Sequence, residues 1–461
     1  MSDGGTTSDD GPGTGGARSR NSGRDSGVPQ RSISRAAKLA SLPIGFAGRT
    51  TLGMGRRLVG APANAVLTEV QIRTAEQIFA VLGELKGGAM KFGQAMSVYE
   101  AAMPPELVEP YRHAFTRLQD DAPPMPTSTV HRIFAGELGP KWREQLIELD
   151  ESPAAAASIG QVHRGRWYDG REVAVKVQYP GAAGAMRSDL RQIGRLSRMF
   201  AVAFPSIDVK PLADELAERV REELDYGLEA QAQREFSAAF ADDPQIIVPE
   251  VVTHTETILI TTWMESKGSL AQVITDGLPS ERDHYGELFA RFLFAGPSRA
   301  GMLHADPHPG NYRIIGDGRL GVVDFGAVAR VPGGLPPVIG RLLRAAVDDD
   351  YATVVDGLRS EGFLKPGVRI DEEIIRSYLE PFVEPARHDL FTFDRDWMRE
   401  QAQRVSRPAR EGLGTAMKIN LPPSYLLIHR VWSGGLAILS QLGATAPFRG
   451  ILEESLPGFA D

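Results

Sequence analysis

The residues with most chemical content lie between His304 and Gly326. The run His304-Ala305-Asp306-Pro307-His308-Pro309-Gly310-Asn311 sets a carboxylate, Asp306, five positions before a side-chain amide, Asn311. Thirteen residues after Asn311 comes Asp324-Phe325-Gly326, at the end of the apolar run Leu320 to Val323. Phosphoryl transfer needs a carboxylate to orient the accepting group and hard oxygen ligands for Mg²⁺. Asp306 is therefore the candidate catalytic carboxylate, and Asn311 and Asp324 are the candidate metal ligands. Each piece alone is weak, since Asp-Phe-Gly also suits a strand-ending turn; the order and spacing of all three carry the reading. His308 has no part in this chemistry, and a loop histidine is more often structural than a ligand.

The same chemistry needs a cation on the phosphates. Val173-Ala174-Val175-Lys176 supplies one on a predicted strand, Arg171 to Gln178, whose valines alternate. Lysine, then Asp306, Asn311 and Asp324-Phe325-Gly326, follow the order of protein-kinase motifs. In that arrangement Lys176 holds the phosphates of ATP (or ADP) and pairs with a helix glutamate. Where a glycine-rich phosphate loop is expected, the chain has Ala154, Ala155, Ala156, Ala157 and Ser158. Alanine lacks the positive-φ freedom of glycine, so this nucleotide-binding loop should be stiffer. Met264, just after the predicted strand Thr257 to Thr262, falls where an inter-lobe hinge would offer its backbone to adenine. Ala305 stands where a His-Arg-Asp motif has arginine, which argues against switching by an activation-loop phosphate.

These residues need elements to position them. Residues 1–35 read as a disordered tail poor in apolar side chains. Residues 31–60 carry six basic and no acidic side chains among apolar ones. That suits either a peripheral membrane contact or a helix start packing on the main body. Apolar spacing predicts helices over 65–85 and 89–103 and another before the proline-rich turn 122–126, giving a helical extension at 36–150. Short strands are expected at 158–162, 163–168 and 171–178, with a hairpin turn at Asp169-Gly170. Helices follow at 183–203 and 208–240, the latter capped by Asp208. Strands at 246–252 and 257–262 complete a smaller lobe, 151–262. A mainly helical lobe, 263–461, contains one strand-rich section at 311–325. The expected class is α+β, two-lobed and kinase-like, with a cleft at the junction.

Composition narrows the alternatives. The chain has 461 residues, no cysteine, and 51 basic against 59 acidic residues, a formal charge of −8. It therefore has no disulfide scaffold, thiolate metal site or cysteine nucleophile. The negative balance argues against a nucleic-acid partner. There is neither an apolar run long enough for a membrane span nor a signal-peptide pattern. The best candidate, Tyr425 to Ala444, is broken by His429, Arg430, Gly434 and Gly435. The expected location is the cytoplasm or, peripherally, the inner face of the cell membrane.

The chain resembles the UbiB/AarF family of atypical kinase-like proteins over about residues 65–445. The resemblance rests on Lys91-Phe92-Gly93-Gln94, Leu118-Gln119-Asp120-Asp121, the alanine-rich loop, Glu223-Leu224-Asp225, the strand lysine and the His304–Asn311 loop. It implies that Lys91 and Gln94 belong to an extension folded across the active site. It also implies that Lys91 contacts Glu223, with Asp225 in the same acidic motif, as regulatory residues. Spacing within the motif favours Glu229 over Glu222 and Glu235 as the partner of Lys176, on one helix face with Asp225. The resemblance further implies an ATP- and Mg²⁺-binding atypical kinase or ATPase, serving isoprenoid quinone or lipid metabolism at membranes. A small-molecule phosphotransferase of aminoglycoside- or choline-kinase type would lack the Lys91–Gln94 motif and the alanine loop. A catalytically idle nucleotide-binding scaffold would not need the full catalytic set.

Overall fold

Alternation along one strand decides which face Lys176 occupies. The computed structural model describes residues 124–157, 159–184, 224–364, 370–411 and 422–460. The tail, the basic segment, the helices expected before Ala122, most of that at 183–203, and Lys91, Gln94, Ser158, Asp208 and Glu223 lie outside the described residues. The first elements are α1 (Thr127–Glu137), α2 (Trp142–Gln145), β1 (Leu146–Leu149), β2 (Ala155–Ala157), β3 (Gly160–Trp167) and β4 (Glu172–Gln178). Then come α3 (Tyr226–Ala239), β5 (Ile246–Ile247), β6 (Val251–His254) and β7 (Ile258–Thr262). An antiparallel sheet runs β1-β3-β4-β7-β6, and β2 folds back on β3. Val173, Val175 and Val177 of β4 are buried in one cluster with Val130, Phe134 and Trp142, so α1 and α2 cover that face. The intervening Ala174 and Lys176 must point the other way, toward α3. There Tyr226 and Ala230, one turn apart on α3, pack with Ile159 and Leu259.

Five local expectations are corrected. The strands expected at 158–162 and 163–168 are one strand, β3. The alanines form a strand of their own, because Ala155, Ala156 and Ala157 pair with Val162, Gln161 and Gly160. The sheet begins before residue 151, since Leu146–Leu149 pairs with β3. Helix α3 does not run through from 208: Asp225 is extended and caps it, accepting from the N–H groups of Gly227 (2.9 Å) and Leu228 (3.3 Å). The strand expected at 246–252 is two strands in different sheets, with Pro249, which has no N–H to donate, between them.

Residues 263–267 lead to the second lobe. There β8 (Gly268–Ser269) is followed by α4 (Leu270–Asp276), α5 (Pro279–Ala300) and β9 (Met302–His304). Next come β10 (Tyr312–Ile314), β11 (Leu320–Val322) and β12 (Val328–Arg330). The second sheet has the order β5-β11-β10-β8, and β9 pairs with β12, so strands extend beyond the 311–325 section expected. Helices α6 (Pro337–Val347), α7 (Tyr351–Ser360), α8 (Glu372–Ala386), α9 (Arg395–Glu411), α10 (Pro423–Leu442) and α11 (Phe448–Ser455) follow, with a short antiparallel strand pair, Phe391–Thr392 with Thr445–Ala446, among them. Helix α5 is central: Leu288, Phe289, Phe292 and Leu293 are buried in the large core shared with β9–β12, α10 and α11. Among the described residues, no helix is long and apolar enough to cross a membrane.

Candidate functional site

The site lies where α3 and the two sheets meet. Lys176 reaches α3 and donates to both oxygens of Glu229, at 2.8 and 2.9 Å. Its ammonium is also 3.5 Å from Asp324 Oδ1 and 5.2 Å from the centre of the Tyr226 ring. Glu229 is only 3% exposed, Lys176 15% and Asp324 30%, so the pair opens toward solvent on the Asp324 side. Burial alone would favour neutral lysine. The Asp324 and Glu229 carboxylates overcome it and hold the Lys176 pKa well above the ordinary value. The structure thus brings together three of the expected residues from three separate elements.

Asp324 follows β11 with φ 66°, a left-handed conformation that is uncommon outside glycine and costs about 1–3 kcal/mol. Three contacts hold it there. The Gly326 N–H donates to its Oδ1 (3.3 Å), and His304 Nε2 donates to its carbonyl (3.0 Å). The next residue, Phe325, is buried 4.9 Å from Phe236 of α3 and 5.2 Å from the His304 ring. Strain at Asp324 is therefore sustained by packing that ties α3 to the loop carrying the carboxylate.

Asp306 and Asn311 sit on the connection between β9 and β10. The Asn311 side-chain amide donates to the Asp306 carbonyl (3.3 Å), and the Asn311 carbonyl accepts from the Val323 N–H (2.9 Å). The second contact sets Asn311 beside the strand that delivers Asp324. The Asp306 carboxylate accepts from the His308 N–H (3.4 Å), and His308 Nδ1 accepts from the Gly310 N–H (3.2 Å). His308 thus shapes the turn Pro309–Asn311.

Ala154 lies at the entry of strand β2, and Ala155, Ala156 and Ala157 form that strand, hairpinned on β3. Gly160 is required at its base, since a β-carbon there would collide with the Val177 carbonyl of β4. Met264 lies in the inter-lobe segment, and its sulfur sits against Gly321 of β11, where a β-carbon would displace it. The donor set fits a magnesium nucleotide: a carboxylate, an amide oxygen and a facing ammonium. No group of three or more His, Cys, Asp or Glu side chains that could hold a metal is found among the described residues. A Mg²⁺ ion typically takes one or two carboxylates and completes its shell with phosphates and water.

Two features are not apparent from the motifs. Arg430 of α10 donates to the Ala305 carbonyl (3.3 Å), so a guanidinium 125 residues away reaches the position where the His-Arg-Asp arginine is missing. Its signal was the break it makes in an otherwise apolar run. Second, Gln161 is buried. It accepts from the Met125 N–H (2.7 Å) and donates to His163 Nε2 (2.7 Å), whose Nδ1 donates to the Asp150 carbonyl (2.8 Å). This relay ties the hairpin to the chain entering α1.

Comparison with known proteins agrees with this geometry. A family model described as the ABC1 atypical kinase-like domain matches residues 117–358. The chain is 30% identical over 355 residues to the mitochondrial atypical kinase coq-8 of Caenorhabditis elegans, covering 74% of this chain and 46% of that protein. It is 29% identical over 444 residues to the chloroplastic protein Activity of BC1 Complex Kinase 3 of Arabidopsis thaliana, covering 94% of this chain and 58% of that one. The chain thus spans about half the length of these relatives. A solved structure, Rv3197 of Mycobacterium tuberculosis in complex with erythromycin, is 43% identical. It aligns with a TM-score of 0.68 over 87% of this chain and 100% of that one. With Lys176, Glu229 and Asp324 in contact and its family model matched over more than half its length, this chain belongs to the ABC1 atypical kinase-like (UbiB) family.

Proposed function

We propose that the cleft binds ATP (or ADP) with Mg²⁺ and acts as an atypical kinase or ATPase. The observation that carries this is Lys176, held by Glu229 and facing Asp324 from the opposite lobe. Lys176 orients the phosphates, Asp324 and Asn311 hold the metal, and bound Mg²⁺ neutralises charge developing on the transferred group. Asp306 orients the accepting group, the hairpin of Ala154–Ala157 with Ser158 covers the phosphates, and the backbone at Met264 receives the base. Lys91, Gln94, Glu223 and Asp225 act as a regulatory set, and Asp225 serves also as the cap of α3.

The partner we infer is an isoprenoid quinone or lipid intermediate handled at a membrane surface, with residues 31–60 as the peripheral attachment at the inner face of the cell membrane. The names of the mitochondrial and chloroplastic relatives support this reading. The test is ATP turnover by the full chain with and without anionic liposomes. Turnover should rise with liposomes and fall at least a hundredfold in Asp306→Asn; deleting 31–60 should remove the stimulation and spare nucleotide binding. Turnover indifferent to both Asp306→Asn and liposomes would end the proposal. The erythromycin complex of the 43% identical protein supports a second reading, in which the chain also takes a large amphipathic molecule. Saturable erythromycin binding is expected, and its absence would remove that reading.

A further inference from the structure

One cation near the cleft is absent from the chemistry above. Arg313 is on β10, between Tyr312 and Ile314, which both face the large core. Strand alternation turns Arg313 to the opposite face. Its register partner on β11 is Gly321, and directly opposed residues in an antiparallel pair share a face. The Met264 sulfur lies against Gly321 on that face. Arg313 and Met264 are thus neighbours on the surface beneath residues 263–267.

The guanidinium is held there. Its Nε and Nη2 both donate to Ser266 Oγ, at 3.1 and 2.8 Å. Ser266 is itself in the inter-lobe segment, two residues from Met264. Arg313 makes no ion pair among the described residues, and burial lowers its pKa with no carboxylate to offset the effect. Among the described residues this half-buried arginine has no counter-charge, an arrangement that costs stability. The second edge of the guanidinium and its planar face are not used by Ser266. A planar, weakly hydrated cation with a free face is suited to an aromatic ring.

We propose that Arg313 determines base specificity, forming with Met264 the floor on which the nucleobase stacks and favouring purines over pyrimidines by their larger π surface. This rests on the nucleotide reading of the cleft. It identifies the ligand as a purine nucleotide and Ser266 as the residue that positions the stacking group.

The experiment measures Mg·ATP and Mg·CTP affinities by calorimetry for the full chain, Arg313→Leu, Ser266→Ala and Asp324→Asn. Arg313→Leu should reduce the ATP-over-CTP preference about five- to tenfold, with an apo melting temperature no lower than wild type. Ser266→Ala should reduce the preference about two- to threefold by releasing the guanidinium. Asp324→Asn should weaken both nucleotides alike and keep the preference. A wild-type ratio in Arg313→Leu, or equal loss of both nucleotides, overturns the base assignment while leaving the nucleotide site standing. If the leucine variant fails to fold, a wild-type ratio in Ser266→Ala overturns the assignment instead. No binding of either nucleotide by wild type overturns both readings.

Discussion

Lys176 and Glu229 form a pair whose halves depend on each other. Removing the ammonium leaves a carboxylate 3% exposed with its principal charge partner gone. Lys176→Met should therefore cost about 3 kcal/mol in chemical denaturation, and Lys176→Met/Glu229→Leu should recover much of that. The sign with pH follows from the raised lysine pKa. The pair contributes fully below the unfolded lysine value and loses its contribution only as pH rises through the folded one. The stability gap between wild type and Lys176→Met should therefore be flat between about pH 6 and 9 and close only in strong alkali. At this scale the sequence was most readable where chemistry is local. Asp306, Asn311 and Asp324 fall within one short stretch, so their spacing is a pattern. The bonds of Arg430 to Ala305, Arg313 to Ser266 and Gln161 to Met125 span 125, 47 and 36 residues, which no spacing rule reaches.

Helix α3 carries the coupling between lobes. Its first turns bring Tyr226 and Glu229 to the first sheet, and Phe236 packs on Phe325 beside the strained Asp324. Phe236→Ala should cost about 3–5 kcal/mol and weaken Mg·nucleotide binding, whereas Phe236→Leu should retain most of both. Melting temperature and affinity, measured together, check this. In the hairpin, Gln161→Leu strands the Met125 N–H and the His163 acceptor and should cost about 2 kcal/mol, read by denaturant titration. The valine alternation of β4 made that strand and the face of Lys176 legible in advance. The alanine run was not: alanine has no strong strand preference, and only pairing with β3 makes it a strand. The start of α3 was misjudged for a related reason, since more than one Asp in this stretch has the chemistry of a cap and spacing alone does not single out Asp225.

For the molecule as a whole, the two sheets organise the chain, which passes between them at 248–250 and again at 263–267. The first sheet closes one face with α1 and α2 and leaves the Lys176 face to α3; the second packs against α4 and α5. The mainly helical character of the large lobe was legible, but its contacts were not. One such contact joins α7 to α10. Burial, reinforced by a 2.6 Å bond from its hydroxyl to Glu361, pushes the Tyr425 phenol up to about 12. The unfolded phenol ionises first, so this contribution is present at neutral pH and lost as pH rises through about 12. The phenolate absorbance difference between wild type and Tyr425→Phe should accordingly titrate well above that of a free tyrosine.

Kinase or ATPase chemistry in this chain requires that Asp324 and Lys176 form a magnesium–nucleotide site. The most direct measurement is the melting temperature of the full chain with ATP or ADP, with and without Mg²⁺, beside Asp324→Asn. Wild type should be stabilised by nucleotide, more so with Mg²⁺, and the variant should lose the Mg²⁺ increment. No nucleotide shift in wild type, or the same Mg²⁺-dependent shift in Asp324→Asn, would contradict it.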